Sequence, residues 1–338
     1  MPARWRAPAR PSGGGRRQRA SSSAVLIPLV ATLLVHAASA ADPPPAAQSL
    51  DGATARSAGL AVELVPRSDL AAGVLEVRPA PGSSFGGVVL GAASDGSAAA
   101  LSDGWGLVAG GLLVARADGS QLRVALDGVL DATFSADAAR LAVVDGIGRL
   151  WLVDSASGAA QTLADGPFLA APVTEPDGSV LALSVPSIEA PFRSRLVRVA
   201  PDGTVGSLSE EELVYDATRL ADGSLAIVSH RPSGTVVHRL AQGVARLHAE
   251  LGPDAVNVSL SRNGEVIAWE SAGQAFARRG AGAVRALGAG SRPAVTADGS
   301  AVLLEREGAS ILVDLEGEEL ATLAAASVVV GCDGECGS

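Results

Sequence analysis

A short turn between two apolar strands returns about every forty residues along most of this chain, usually as Asp-Gly or Asn-Gly. The turn residues are Asp95, Asp137, Asp177, Asp222, Asn263 and Asp298, with spacings of 42, 40, 45, 41 and 35 residues. Asp-Gly and Asn-Gly favour the positive-φ turns that join neighbouring antiparallel strands. A long, regular period of this kind is typical of a fold built from repeated sheets.

Each repeat holds further short strands after its turn. After Asp137 the chain reads RLWLVD (149–154) and AAQTLAD (159–165), and the repeat of Asp298 continues in the same way. Four short strands in about forty residues predict the four-stranded antiparallel blade of an all-β propeller. A βαβ fold would need helical segments of about 10–15 residues between the strands, and a β-sandwich would not need the period.

The two ends of the chain supply strands for one more blade. Residues 327–334 repeat the strand and its Asp-Gly turn, with Asp333 placed 35 residues after Asp298. Residues 60–65 and 73–78 are two further strands before the first full repeat. Because pairing strands from both ends removes sheet edges, we favour seven blades, with the ring closed by the terminal strands. The alternative is six blades with loose terminal strands.

These repeats resemble the WD40-like (PD40) repeat of TolB-type propellers, which also occurs in the propeller domains of prolyl oligopeptidases. The best matches are residues 134–166 and 174–203, and the resemblance covers roughly residues 88–334. It implies the propeller fold alone. The family turn Ser-Pro-Asp-Gly is intact nowhere in this chain, and no lysine follows any turn. We expect neither the α/β domain of TolB nor the hydrolase domain of the peptidases beside the repeats.

The first forty residues predict a secretory signal peptide. Six arginines and no acidic residue occupy residues 1–23, and a 15-residue apolar run, Ala24–Ala38, leads to the small-residue sequence Ala38-Ser39-Ala40. That run is shorter than the roughly 20 residues that span a bilayer. We therefore expect a secreted or periplasmic protein without stable membrane insertion after cleavage. The predicted divisions are a signal peptide (1–40), a Pro/Ala-rich linker (41–57), the propeller (58–334) and a tail (335–338).

Charge narrows the range of partners. The full chain carries 26 basic and 36 acidic residues, and loss of the six N-terminal arginines leaves a net charge of −16. An acidic domain of this kind repels nucleic acid and anionic lipid, so neither is expected as a partner. An unidentified protein or small ligand at the propeller face is the partner that the sequence allows.

One column of residues suggests where such a ligand would bind. It lies six positions before each turn residue, near the start of the innermost strand, where a propeller opens to its central channel. The column consists of Val89, Asp131, Ala171, Asp216, Asn257, Arg292 and Ser327. Four members are strongly polar. They serve either as solvated strand ends or as a binding site formed by Asp131, Asp216, Asn257 and Arg292.

Other chemistry-bearing residues are expected to be structural. Gly82–Gly86 matches the G-x-S-x-G nucleophile elbow, but no apolar strand precedes it, which favours a loop. His230 and His238 could face each other across a hairpin, but a metal site would need further ligands. His248 completes the histidines of the mature chain, and all three are expected at the surface or rim.

The remaining candidates are a tyrosine and two cysteines. Tyr215 stands beside Asp216 and two glutamates and is predicted to be an ordinary strand residue. Cys332 and Cys336 are the only cysteines, and in an exported protein they predict a disulfide across the last turn. The sequence predicts no cofactor and no metal site.

Two functions remain open at this point. The first is a non-enzymatic scaffold that binds a protein or a small ligand outside the cytoplasm, because no nucleophile, base or metal set is clustered in the sequence. The second is a propeller enzyme, a lyase or a glycoside-acting hydrolase. That function would require carboxylates from distant blades to converge on the channel.

Overall fold

The protein is built from β-strands throughout. The structure, a computed structural model, describes residues 62–71, 73–80, 88–102, 111–126, 128–166, 168–185, 194–208, 213–323 and 328–329. Two strands come first in the chain, β1 (Val62–Pro66) and β2 (Val74–Pro79). The strands that follow form six antiparallel sheets of four strands each within these residues. The predicted propeller of four-stranded blades is therefore confirmed.

The first three blades lie between residues 88 and 207. Blade 1 consists of β3 (Val88–Ala92), β4 (Ala98–Ser102), β5 (Leu112–Arg116) and β6 (Gln121–Val124). Blade 2 consists of β7 (Val129–Phe134), β8 (Arg140–Asp145), β9 (Leu150–Asp154) and β10 (Ala160–Ala164). Blade 3 consists of β11 (Phe168–Thr174), β12 (Val180–Val185), β13 (Arg195–Val199) and β14 (Val205–Ser207).

The next three blades lie between residues 214 and 323. Blade 4 consists of β15 (Val214–Arg219), β16 (Leu225–Arg231), β17 (Gly234–Ala241) and β18 (Val244–Gly252). Blade 5 consists of β19 (Val256–Leu260), β20 (Val266–Ser271), β21 (Gln274–Arg279) and β22 (Arg285–Ala289). Blade 6 consists of β23 (Ser291–Val295), β24 (Ala301–Arg306), β25 (Ala309–Asp314) and β26 (Glu319–Leu323).

The terminal strands correct the predicted blade count. The last described strand, β27 (Val328–Val329), pairs with β2 through Val74 and Leu75, which gives a three-stranded sheet in the order β1-β2-β27. Four-stranded blades thus number six in the described chain, as in the alternative, and the favoured count of seven is wrong. The terminal strands are paired, however, and are not loose. Pairing between strands of the two ends was predicted, but the described terminal sheet has three strands and so falls one short of a full blade.

The repeated turn has one geometry in all six blades. In each, the backbone N–H two residues after the turn residue donates to its side-chain oxygen, as from Ser179 to Asp177 Oδ1 at 3.0 Å and from Glu265 to Asn263 Oδ1 at 2.9 Å. The glycine between them has a positive φ in five blades, and Ala138 takes the same conformation (φ 56°) in blade 2. The side-chain bond explains why Asp or Asn occupies this position.

The apolar core lies between neighbouring blades rather than in one centre. Each face of a blade packs its strand residues against the next blade, and these layers consist mainly of buried Ala, Val and Leu. Small side chains let the sheets approach closely. At Gly91 of β3 an added Cβ would lie 2.5 Å from the Ala132 carbonyl oxygen of β7. Blades 1 and 2 therefore meet with no room for a side chain at this point.

The first strand of each blade is its inner strand. β3 contacts β7, β7 contacts β11, and β19 contacts β23, so these strands line the middle of the assembly. The Asp-Gly turns lie at one end of the inner strands. The predicted column, six residues earlier, lies at the other end, which we call the channel mouth.

Gly91→Ala should destabilise the protein by about 1–3 kcal/mol, because the Cβ would overlap a backbone oxygen that cannot move away easily. Urea unfolding at equilibrium measures the change. Gly206→Ala in β14 is the matched control, since an added Cβ there meets nothing within 4 Å. Its effect should stay within about 0.5 kcal/mol. Equal effects of the two substitutions would contradict the close approach of blades 1 and 2.

Candidate functional site

The column at the channel mouth coincides with a bulge in every blade. Strand register shifts near the start of all six inner strands, between Val129 and Asp131 in blade 2 and between Val214 and Asp216 in blade 4, for example. A bulge bends the strand and turns side chains out of the regular ladder. The column residues therefore sit at or beside a break in the sheet, where their side chains need not fill the core.

Three column residues adopt a left-handed backbone conformation. The φ angles are 47° at Ala171, 49° at Asn257 and 48° at Arg292. Asn tolerates this region, whereas Ala and Arg do so at a cost of about 1–2 kcal/mol. Strained residues of this kind cluster at binding and catalytic sites. The strain was not predictable from the sequence, because neither Ala nor Arg signals a positive φ.

Asp131 and Asp216 hold equivalent positions in blades 2 and 4. Each carboxylate accepts one hydrogen bond from the next backbone N–H, at 2.8 Å from Ala132 to Asp131 Oδ1 and at 2.8 Å from Ala217 to Asp216 Oδ1. Both bonds lie directly beside the bulge. The strand-end hydrogen bonding that the sequence suggested is thus present, and it uses one oxygen of each carboxylate.

The same two carboxylates are electrostatically unusual. Burial raises the pKa of Asp131 to about 7 and that of Asp216 to about 6, although each accepts a hydrogen bond that favours the charged form. The charge of Asp216 raises the pKa of Asp131 further, so the two groups interact across the channel mouth. Among the described residues neither carboxylate forms an ion pair. Two of the four predicted site residues, Asp131 and Asp216, therefore lie within electrostatic reach of each other, and burial raises the pKa of both.

Tyr215 lies next to this pair. Its ring packs against the core between blades 4 and 5, and its hydroxyl is buried beside the Thr235 side chain. Burial raises the pKa of Tyr215, and the charge of Asp216 adds to the effect. Tyr215 is the extra residue of the blade 4 bulge, so it is less ordinary than the sequence suggested. The two glutamates before it, at 211 and 212, lie outside the described residues.

Asn257 and Arg292 form a second pair through a shared glutamate. Asn257 Nδ2 donates to Glu270 Oε2 at 2.9 Å, and the backbone N–H of Arg292 donates to the same oxygen at 3.3 Å. The Arg292 guanidinium lies 3.3 Å from Glu305 Oε1 and is 69% exposed. These bonds link blades 5 and 6 at the channel mouth, and the Arg292 guanidinium is already paired with the Glu305 carboxylate.

Sequence reasoning missed Glu270 and Glu305. Each follows its turn residue by seven positions, Glu270 after Asn263 and Glu305 after Asp298. This spacing puts them on the second strand of the blade, level with the column. A search for polar residues on both strands of each inner hairpin would have found them.

The histidines do not form the hairpin pair that the sequence allowed. Strand register pairs His230 with Thr235 and His238 with Ile227, so the two rings lie on opposite faces of blade 4. His238 is buried, which corrects the expected surface position. His248 Nε2 lies 2.9 Å from the Gly264 carbonyl oxygen. In the part of the chain that the structure describes, no three His, Cys, Asp or Glu side chains are grouped to hold a metal.

Several predicted features lie outside the described residues. They are the signal peptide, the loop at Gly82–Gly86, Ser327 and the Cys332–Cys336 disulfide. Over the described ranges the structure contains no helix that is both long and apolar enough to cross a bilayer.

Asp131→Asn should stabilise the protein at pH 8 and have a smaller effect at pH 5. The folded-state pKa of about 7 lies above the ordinary value of 3.8, so the charged carboxylate costs stability that returns as pH falls through 7. The amide keeps an oxygen for the Ala132 N–H. Thermal unfolding at both pH values measures the effect.

Asp118→Asn is the control for this experiment. Asp118 is exposed at an outer turn, and its pKa is lowered by hydrogen bonds from Ser120. It stays ionised at both pH values, so its substitution should shift the unfolding temperature equally at pH 5 and pH 8. A pH-independent effect of Asp131→Asn would show that its carboxylate is not buried as a charge.

Comparison with known proteins identifies the fold and nothing finer. No protein-family model matches the chain, and no curated protein matches its sequence significantly. TolB from Acinetobacter baumannii is a similar solved structure, with a TM-score of 0.50 and 17% identity over 86% of this chain and 88% of that one. An oligogalacturonate lyase in complex with manganese matches with a TM-score of 0.56 and 12% identity, over 81% of this chain and 85% of its own.

A further similar structure is a functionally unknown protein from Desulfotomaculum acetoxidans. Its TM-score is 0.56 at 11% identity, over 81% of this chain and all of that one. Identities this low show a shared fold and not a shared activity. Together with the six four-stranded blades, these matches show that the chain has the β-propeller fold of TolB-type proteins.

Proposed function

We propose that this chain is an exported, non-enzymatic propeller whose channel mouth binds a basic group of a small ligand or of a protein partner. The observation that supports this proposal is the pair formed by Asp131 and Asp216. Two blades that are not neighbours bring two half-buried carboxylates within electrostatic reach. In the described residues no cation neutralises them.

An ammonium or guanidinium group would suit this pair. Two like charges in a partly buried site repel each other, and burial without a partner costs free energy. A cation placed between them removes the repulsion and replaces the lost hydration. One oxygen of each carboxylate is free of the bulge amide and can accept hydrogen bonds from such a group. The net charge of −16 expected after signal cleavage would also attract a basic partner.

The proposal that the protein is exported is supported by its sequence alone. The arginine-rich start, the apolar run and the small-residue site of residues 1–40 support it. The same reasoning supports the proposed domain limits and a secreted or periplasmic location for the folded propeller.

The acidic pair also favours one alternative function, a lyase or glycoside-acting hydrolase. Carboxylates with pKa values of about 7 and about 6 can act as general acid and general base near neutral pH. Assay of the mature chain against uronate oligosaccharides and aryl glycosides tests this alternative. Turnover that Asp131→Asn abolishes would establish an enzyme, whereas binding without turnover supports the scaffold.

We also propose that the terminal sheet closes the ring of blades. Besides pairing with β2, β27 lies against β3 of blade 1 and β23 of blade 6, the inner strands on either side. A closed ring would leave no inner strand edge unpaired.

Binding at the acidic pair predicts a charge-specific loss. An oligo-arginine peptide, titrated calorimetrically into the mature chain at pH 8, should bind at least tenfold more weakly to the double variant Asp131→Asn/Asp216→Asn. The control is Asp118→Asn/Asp202→Asn, which removes two charges from outer turns and should bind like wild type. Binding to wild type should also weaken from pH 8 to pH 5 as both acids become protonated. Equal binding by the two double variants, both folded, would refute the site.

Ring closure predicts a cost for removing β27. A chain that ends at Leu323 should unfold at lower urea than one that ends at Val329, by about 1–3 kcal/mol. The reason is that Val329 packs against the buried cluster of Ala71, Val74 and Leu303. Identical unfolding midpoints for the two truncations would contradict closure by this strand.

A further inference from the structure

We infer a buried water site between blades 3 and 4, held by Ser229 of β16 and His238 of β17. Ser229 is fully buried and His238 is 7% exposed. Within the described chain, neither Ser229 Oγ nor His238 Nδ1 has a hydrogen-bond partner. Buried polar atoms are rarely left unpaired, and ordered internal water is the usual partner when the protein supplies none.

The tautomer of His238 determines whether its Nδ1 atom must donate or accept a hydrogen bond. Arg231 Nη2 lies 3.3 Å from His238 Nε2. A guanidinium only donates hydrogen bonds, so Nε2 accepts and the ring hydrogen must sit on Nδ1. Nδ1 is therefore a buried donor that requires an acceptor. The Ser229 hydroxyl can donate and accept, so both groups can bond to one water molecule.

Strand register places the two side chains together. Ile227 pairs with His238 and Ser229 pairs with Val236, so Ser229 and His238 are diagonal neighbours on one face of blade 4. That face packs against blade 3, because Ile227 belongs to the cluster that contains Leu183 and Leu196. Diagonal Cβ atoms lie about 7–8 Å apart or somewhat less. The two side chains make no direct hydrogen bond in the described chain, and a separation of this order lets one water molecule reach both polar atoms.

The site is independent of the proposed channel ligand. It lies between two blades, on the blade 4 face turned away from Tyr215 and the core shared with blade 5. Failure of ligand binding at Asp131 and Asp216 would therefore leave this inference standing, and the reverse also holds.

A crystal structure of the mature protein at a resolution that shows ordered water tests the inference directly. We expect a density peak about 2.7–3.2 Å from both Ser229 Oγ and His238 Nδ1. A map without such a peak overturns the inference. So does an anomalous peak at this position after bromide soaking, which would identify an anion.

Ser229→Ala provides a second, independent measurement. If water bridges the two groups, the variant loses a satisfied hydrogen bond and its urea midpoint falls. If the hydroxyl is unpaired, its removal leaves the midpoint unchanged or raises it, and that result overturns the inference. Thr235→Val on β17 gives the scale for an equally buried hydroxyl with protein partners, because Thr235 Oγ1 donates to the Ala255 carbonyl at 2.7 Å and lies 3.2 Å from His230 Nδ1. Should Ser229→Ala fail to fold, the wild-type density decides.

Discussion

Each inner hairpin depends on one hydrogen bond, from a backbone N–H to the side-chain oxygen of the turn residue two positions earlier. The bond ranges from 2.9 to 3.1 Å across the six blades and occurs with aspartate or asparagine. It keeps the turn tight, which fixes the register of the first two strands. That register sets which side chains face the neighbouring blades, so the layered core follows from the turn.

The turn also determines where the candidate site can form. Starting from a fixed turn, the inner strand runs six residues to the bulge, where the ladder is interrupted in every blade. Between the bulge and the turn, alternate residues such as Ala132 and Phe134 are buried and pack between blades. Positions at the bulge are less constrained by this packing. Polar residues such as Asp131 and Arg292 can therefore stand there without disrupting the core.

The sequence predicted the propeller, the turns and the position of the column, because each depends on local chemistry that repeats. Pairing between the two ends was predicted from their unassigned strands, but the number of four-stranded blades was not. Exact partners such as Val74 and Val329 lie 255 positions apart, and no local signal marks them. The column residues were found, but their grouping was not. Interaction between Asp131 and Asp216, and the sharing of Glu270 by Asn257 and Arg292, depend on the curvature of the assembly.

The four polar residues of the column divide into two pairs, and this division determines the charge of the channel mouth. Had Arg292 paired with either aspartate, the charges would cancel and the pKa values of the acids would fall. Arg292 lies instead beside Glu305, and Glu270 binds the amide of Asn257, so blades 5 and 6 are internally satisfied. The acids of blades 2 and 4 are left to a proton or to a cation from outside. Because both pKa values lie near neutral pH, protonation of these acids would compete with the proposed binding of a cation, and the competition would strengthen as pH falls below about 7.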